Sequence, residues 1–88
     1  MALRITSRGF ATSRTLEVNS AGVTYREATA FANTRNFAFA QIDAILMAPD
    51  HTLSFQVGRE VFSIPTSPGN KAHQETIDAL VKEVRRAA

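Results

Sequence analysis

The stretch TLSFQVGREVFSIP, residues 52–65, decides the fold. Two runs alternating apolar and polar residues flank the dipeptide Gly58-Arg59. Alternation is the period of a β-strand, whose successive side chains point to opposite faces. A two-residue connection that begins with glycine predicts a type II′ hairpin, because glycine takes the positive φ of its first central position without a Cβ clash. This register sets Phe55 opposite Phe62 and Leu53 opposite Ile64, all on one face. Ser54, Gln56, Val61 and Ser63 fall on the other face, which is mostly polar. Burial on one side and water on the other is the mark of an antiparallel sheet. Pro65 ends the second strand.

The same pattern recurs upstream. TLEVNSAGVTYRE, residues 15–27, reads as a second hairpin, with Leu16 and Val18 on one arm and Val23 and Tyr25 on the other. Asn19 to Gly22 make its turn, with Gly22 expected in the left-handed region. ALRIT, residues 2–6, is a first strand. TAFA (29–32) and NFAFA (36–40) read as strand pieces around a polar turn at Asn33–Asn36. Pro49 and Asp50 favour a turn between AILMA and TLSFQV, with Ile45 and Met47 facing inward.

Helical periodicity is concentrated at the end of the chain. In NKAHQETIDALVKEVRRAA, residues 70–88, Ile77, Leu80, Val81 and Val84 recur at the spacing of one helix face. Asp78 and Lys82 form an i,i+4 pair in the favourable order, and Arg85 and Arg86 suit the negative end of the helix dipole. Ser67 with Pro68 at the first helical position, or Asn70 slightly later, caps the start, for a helix over about 68–87. A helix with one apolar stripe must lie against something else, here the sheet. About seven strands followed by one helix, without alternation, place the chain in the α+β class, mainly β.

Composition narrows the function classes. The 88 residues suffice for one domain, residues 1–88. There is no cysteine, hence no disulfide framework or thiol chemistry, which fits a reducing compartment and a cytoplasmic location. No window approaches the roughly 18 apolar residues of a transmembrane helix. The net charge is +2, and Arg4, Arg8, Arg14, Arg26 and Arg35 precede Asn36 against only Glu17 and Glu27. A basic first half points toward an anionic partner or to arginines on exposed strand faces.

Catalytic patterns are missing. There is no nucleophile elbow, no phosphate-cradling glycine loop and no metal-ligand spacing around His51 or His73. No cofactor, metal or catalytic residue is expected, and the chain does not read as an enzyme. TRNFAFAQID, residues 34–43, imitates the RNA-recognition octamer, but the octamer's second glycine and valine are absent and no helix precedes Pro68. Phe37 and Phe39 are therefore expected in the core, not stacked on bases, and a nucleic-acid partner is not expected.

LEVNSAGVTYRE, NFAFAQIDAILMA, TLSFQVGREVFSIP and the terminal helix together resemble a pleckstrin-homology-like domain of the small bacterial type. The resemblance implies a seven-stranded antiparallel orthogonal sandwich, or partly open barrel, with the helix capping one end. Its stripe would cover Phe55, Phe62 and their neighbours. It also implies a non-catalytic module that binds a protein partner or self-associates as a homo-oligomer through sheet edges or loops. Family members that bind phosphoinositides place basic residues in the loops after strands one, three and six. Carried over by position, these are Arg8, Arg35 and Arg59, with Arg14 and Arg26 on adjacent strand ends. The alternative implied function is thus binding of an anionic lipid headgroup or other anionic ligand at this corner. The family's basic lipid-binding motif, a lysine followed by a Lys/Arg-x-Arg triplet, is absent.

Overall fold

The hairpin of residues 52–65 forms with the expected register. In the computed structural model, which describes residues 3–9 and 12–88, β6 (Thr52–Val57) and β7 (Glu60–Pro65) pair antiparallel, with Leu53 opposite Ile64 and Phe55 opposite Phe62. Gly58 stands at φ 62° and Arg59 does not share the positive φ, the signature of a type II′ turn. The remaining strands are β1 (Leu3–Arg8), β2 (Ser13–Val18), β3 (Val23–Ala28), β4 (Ala32–Phe37) and β5 (Ala44–Met47). They form two antiparallel meanders, one ordered β1-β2-β3-β4 and the other β5-β6-β7. A single 3₁₀ turn, Phe39–Gln41, connects the two sheets, and helix α1 (Lys71–Ala87) follows.

The two sheets meet through aromatic rings. Tyr25 of β3 and Phe37 of β4 lie 5.8 and 5.9 Å from Phe55, both edge-on. Phe62 stacks on Phe55 at 5.3 Å and lies 5.2 Å from Tyr25 and 5.1 Å from Phe37. Such pairs contribute about 0.5–1.5 kcal/mol each beyond the area they bury. Ile5, Leu16, Val18 and Val23 of the first sheet extend this core, and Leu53 and Ile64 extend it on the second.

Helix α1 closes the core against β1, β2 and the 3₁₀ turn. Its Leu80 is fully buried, with Ile77, Ala79 and Val84 packed around the core margin. Asn70 is the cap: its Oδ1 accepts a hydrogen bond from the His73 backbone N–H at 3.2 Å. The helix therefore begins at Lys71, not at Pro68. His73 serves the same junction, its Nδ1 accepting from the Ser67 N–H at 3.0 Å. Phe62 escapes the helix: it is half-buried and lines an open cleft to which α1 contributes no residue.

Three local readings are corrected. Asn33–Asn36 are not a turn but the middle of β4, and the turn falls at Thr29–Phe31. There the Thr29 N–H donates to the Phe31 carbonyl at 3.0 Å. Polar residues on both faces are tolerated because β4 is an edge strand with Ala32 to Asn36 exposed. Phe37 ends β4 and Phe39 opens the 3₁₀ turn, so they share the core without sharing a strand. Of the two β5 side chains expected inward, Ile45 packs on the core while Met47 stays exposed.

Gly22 has φ 153°, outside the left-handed helical well expected for it. Its conformation reflects close approach: a Cβ there would collide with the Phe37 backbone carbonyl. A Cβ on Gly58 meets open space. Gly22→Ala is therefore expected to destabilise the fold by about 3 kcal/mol or more, because rigid backbone must shift. Gly58→Ala should lose only about 1–2 kcal/mol, the strain of a left-handed alanine. Urea denaturation of the two variants checks the order.

Candidate functional site

The strand period sorts the arginines onto different surfaces. On β2 and β4, Arg14 and Arg35 alternate in phase with Leu16, Val18 and Phe37, on the core-facing side of the first sheet. On β1 and β3, Arg8 and Arg26 fall in phase with Arg4 and Thr24, on the outer side. Arg59 lies in the β6–β7 hairpin loop, on the other sheet. Arg35, expected in a loop, is in the middle of β4. The structure thus joins Arg14 to Arg35 and places Arg8, Arg26 and Arg59 elsewhere.

Arg14 and Arg35 flank a cleft of about 450 Å³ between the first sheet and β7, lined also by Tyr25, Glu27, Glu60 and Phe62. Both carry a carboxylate partner. Arg14 Nε lies 3.2 Å from Glu27 Oε2. Arg35 makes a two-pronged contact with Glu60, donating from Nη1 to Oε2 at 3.0 Å and from Nη2 to Oε1 at 3.1 Å. The Arg35 guanidinium also sits 5.4 Å from the Phe37 ring and 5.5 Å from the Phe62 ring, within cation–π range. The Ser63 carbonyl accepts from Tyr25 Oη at 2.9 Å and from Arg14 Nη1 at 3.2 Å. Burial holds the Tyr25 phenol above its ordinary 10.0 and Glu27 adds to it, while Arg14 and the Ser63 bond oppose the rise.

These contacts make the cleft a seam that joins β7 to the first sheet. Arg8, Arg26 and Arg59 are exposed, and no ion pair to them occurs among the described residues. Arg26 shares a shallow outer-face depression with Arg4, Glu17 and Thr34. Among the described residues no group of His, Cys, Asp and Glu is arranged to hold a metal ion. Among the described residues no helix is long and apolar enough to cross a membrane. His51, at φ 67°, holds a turn, its carbonyl accepting from the Thr66 N–H at 3.0 Å and Oγ1 at 2.6 Å.

Two sheets leave four outer strand edges, and they differ in protection. The β1 edge has α1 beside it. On β7 the Ser63 carbonyl is occupied by Tyr25 and Arg14. Among the described residues β4 pairs only with β3, and β5 only with β6. Beside β5 runs a groove of about 390 Å³, lined by Ile45, Met47 and Leu53 on one wall and Ile77, Val81 and Val84 on the other, with Asp43 and Arg85 also at its margin. The Asp43 carboxylate is engaged, accepting from the Gly58 N–H at 2.8 Å. Sequence reasoning missed the groove because its walls lie some thirty residues apart in the chain, roughly Ile45 to Ile77. It also missed Arg14–Glu27, although the second hairpin's register, counted outward from Val18 opposite Val23, puts these two residues opposite each other.

Arg35, through its hydrogen bonds and then its charge, holds the Glu60 carboxyl below its ordinary 4.5. A depressed carboxyl contributes stability above its unfolded value and loses it as pH falls through the folded value. Wild-type protein should therefore lose an increment of stability below pH 4.5 that Glu60→Gln lacks, as read by denaturation midpoints across the acid range. Tyr25→Phe should cost about 1 kcal/mol, the net worth of one hydrogen bond, with Arg14 still serving Ser63. Urea denaturation of that variant measures it.

Compared with protein-family models, curated proteins and solved structures, the chain finds no match in any of the three.

Proposed function

We propose that this chain is a non-catalytic interaction module of pleckstrin-homology-like architecture that takes up an extended segment of a partner protein along β5. The four-plus-three strand order with a terminal helix supports that architecture, in which the two sheets close as an orthogonal sandwich. The observation that carries the function is the pairing of an unprotected edge with an apolar groove. An edge strand offers a row of main-chain donors and acceptors to a further strand. The groove between β5 and α1 then receives alternate side chains of that strand. Half-buried Ile77, Val81 and Val84 on one wall and Met47 on the other suit apolar residues at every second position. Arg85, exposed at the groove margin, favours an acidic residue beside them.

The second reading, an anionic ligand or lipid headgroup, rests on fewer residues than the sequence suggested. Arg14 and Arg35 are committed to Glu27 and Glu60. Arg8, Arg26 and Arg59 carry it: Arg8 and Arg26 share the outer face of the first sheet, while Arg59 stands in the β6–β7 loop of the other.

A selection from a library of short extended peptides tests the first reading. Selected peptides should show alternating apolar residues and shift the amide resonances of Ala44–Met47 together with Ile77, Val81 and Val84. Met47→Lys, at an exposed position, should weaken them about tenfold by setting a charge in the apolar groove. Binders that shift Arg8, Arg26 or Arg59 instead, or that ignore Met47→Lys, would reject it.

A further inference from the structure

A different edge carries a second, independent inference. β4 is six residues long and its ladder with β3 runs unbroken from Ala28–Ala32 to Val23–Phe37, with no bulge. Natural edges are blunted by lysine, proline, bulges or a covering element. β4 contains no lysine, proline or glycine, and Ala32 to Asn36 are all exposed. Among the described residues, hydrogen bonds to its backbone come from β3 alone. Next to it stands Phe31, 84% exposed, the most exposed large apolar side chain among the described residues.

We propose that β4 pairs antiparallel with β4 of a second copy of this chain, about a two-fold axis through Thr34. The self-complementarity of the strand selects both the occupant and the register. Centred on Thr34, the pairing sets Ala32 opposite Asn36 and Asn33 opposite Arg35. The only charged residue of β4 is Arg35, which then meets an amide and not its own copy, and its charge is already matched by Glu60 of its own chain. No like charges oppose one another, the condition a cross-strand pair requires. An odd-residue centre also works whichever way Thr34 turns its backbone groups: either Thr34 or the Asn33–Arg35 pairs exchange the ladder bonds.

One residue beyond each end of Ala32–Asn36, the same register brings Phe31 of one copy opposite Phe37 of the other. Residues 33, 35 and 37 share one face by strand period, and Phe31 ends the turn that leads into Ala32. The exposed phenylalanine of each protomer thus gains an aromatic neighbour at the border of the partner's core. The contact is isologous, so it closes at two copies and merges the four-stranded sheets into one of eight strands.

Sedimentation equilibrium of the full chain, together with cysteine cross-linking, tests this. The wild-type mass should approach twice 9.6 kDa and fall on dilution, with little dependence on salt. Phe31→Ala should weaken the dimer about tenfold or more, from the apolar surface it no longer buries. Thr34→Lys, which opposes two lysines at the axis, should weaken it several-fold, whereas Thr6→Lys on distant β1 should not. The chain has no cysteine, so Thr34→Cys can bridge only to another copy. It should oxidise to a covalent dimer, and Ala32→Cys should cross-link with Asn36→Cys in a mixture but not with itself. A monomeric mass at every concentration overturns the proposal. So does a dimer that ignores Phe31→Ala and Thr34→Lys or fails to bridge through Thr34→Cys. Met47→Lys should leave the dimer intact, which keeps this test separate from that of the β5 groove.

Discussion

The fold depends on four aromatic rings meeting across two sheets. Phe55 and Phe62 face each other within one hairpin, and Tyr25 and Phe37 reach them from the other sheet. In a chain without tryptophan or disulfides, these rings join Ile5, Leu16, Leu53 and Ile64 in one core shared by the two sheets. Everything polar at the seam is arranged around their rim. Tyr25 buries its ring and spends its hydroxyl on the Ser63 carbonyl. Arg35 covers two of the rings with its guanidinium while Glu60 holds it in place. A cation stacked and paired in this way is a structural element before it is a ligand site.

That arrangement explains why the edges are unequal. The groups that fasten β7 to the first sheet also fill an acceptor on its outer edge, and the helix that seals the core lies beside β1. Protection of β1 and β7 is therefore a by-product of closing the core. β4 and β5 lie where the chain passes between sheets through a single 3₁₀ turn, and among the described residues neither has a strand partner on its outer side. Backbone groups left in water by folding are those available to another chain. The proposed roles of the protein follow from this by-product, one edge flanked by an apolar groove and the other flat and self-complementary.

Local readings succeeded where a short-range rule governs conformation. The β6–β7 hairpin, its register and its turn follow from alternation plus one glycine, and the helix from its apolar stripe. The expected turn at Asn33–Asn36 did not form, because asparagine and threonine composition is ambiguous between a turn and an edge strand. On an edge strand neither face need be apolar, so the period that reveals a strand is weak. Gly22 illustrates a related gap: a turn glycine was legible, but the Phe37 carbonyl that demands it comes from another strand.

The amino-acid order alone thus determined the class of the fold, a run of antiparallel strands ending in one helix, because hydrophobic period and turn chemistry act over a few residues. It also placed Phe37 and Phe39 inside. Tertiary structure alone decided which arginines come together and what they meet. Arg35 and Glu60 are 25 residues apart, and only the closing of the first sheet on the second brings their side chains together. The same is true of the groove, whose walls belong to β5 and α1, and of the exposure of β4. Charge counts and spacing carry no information on which face of which sheet a side chain occupies relative to a distant segment. That relation exists only once the aromatic core has set the two sheets against each other.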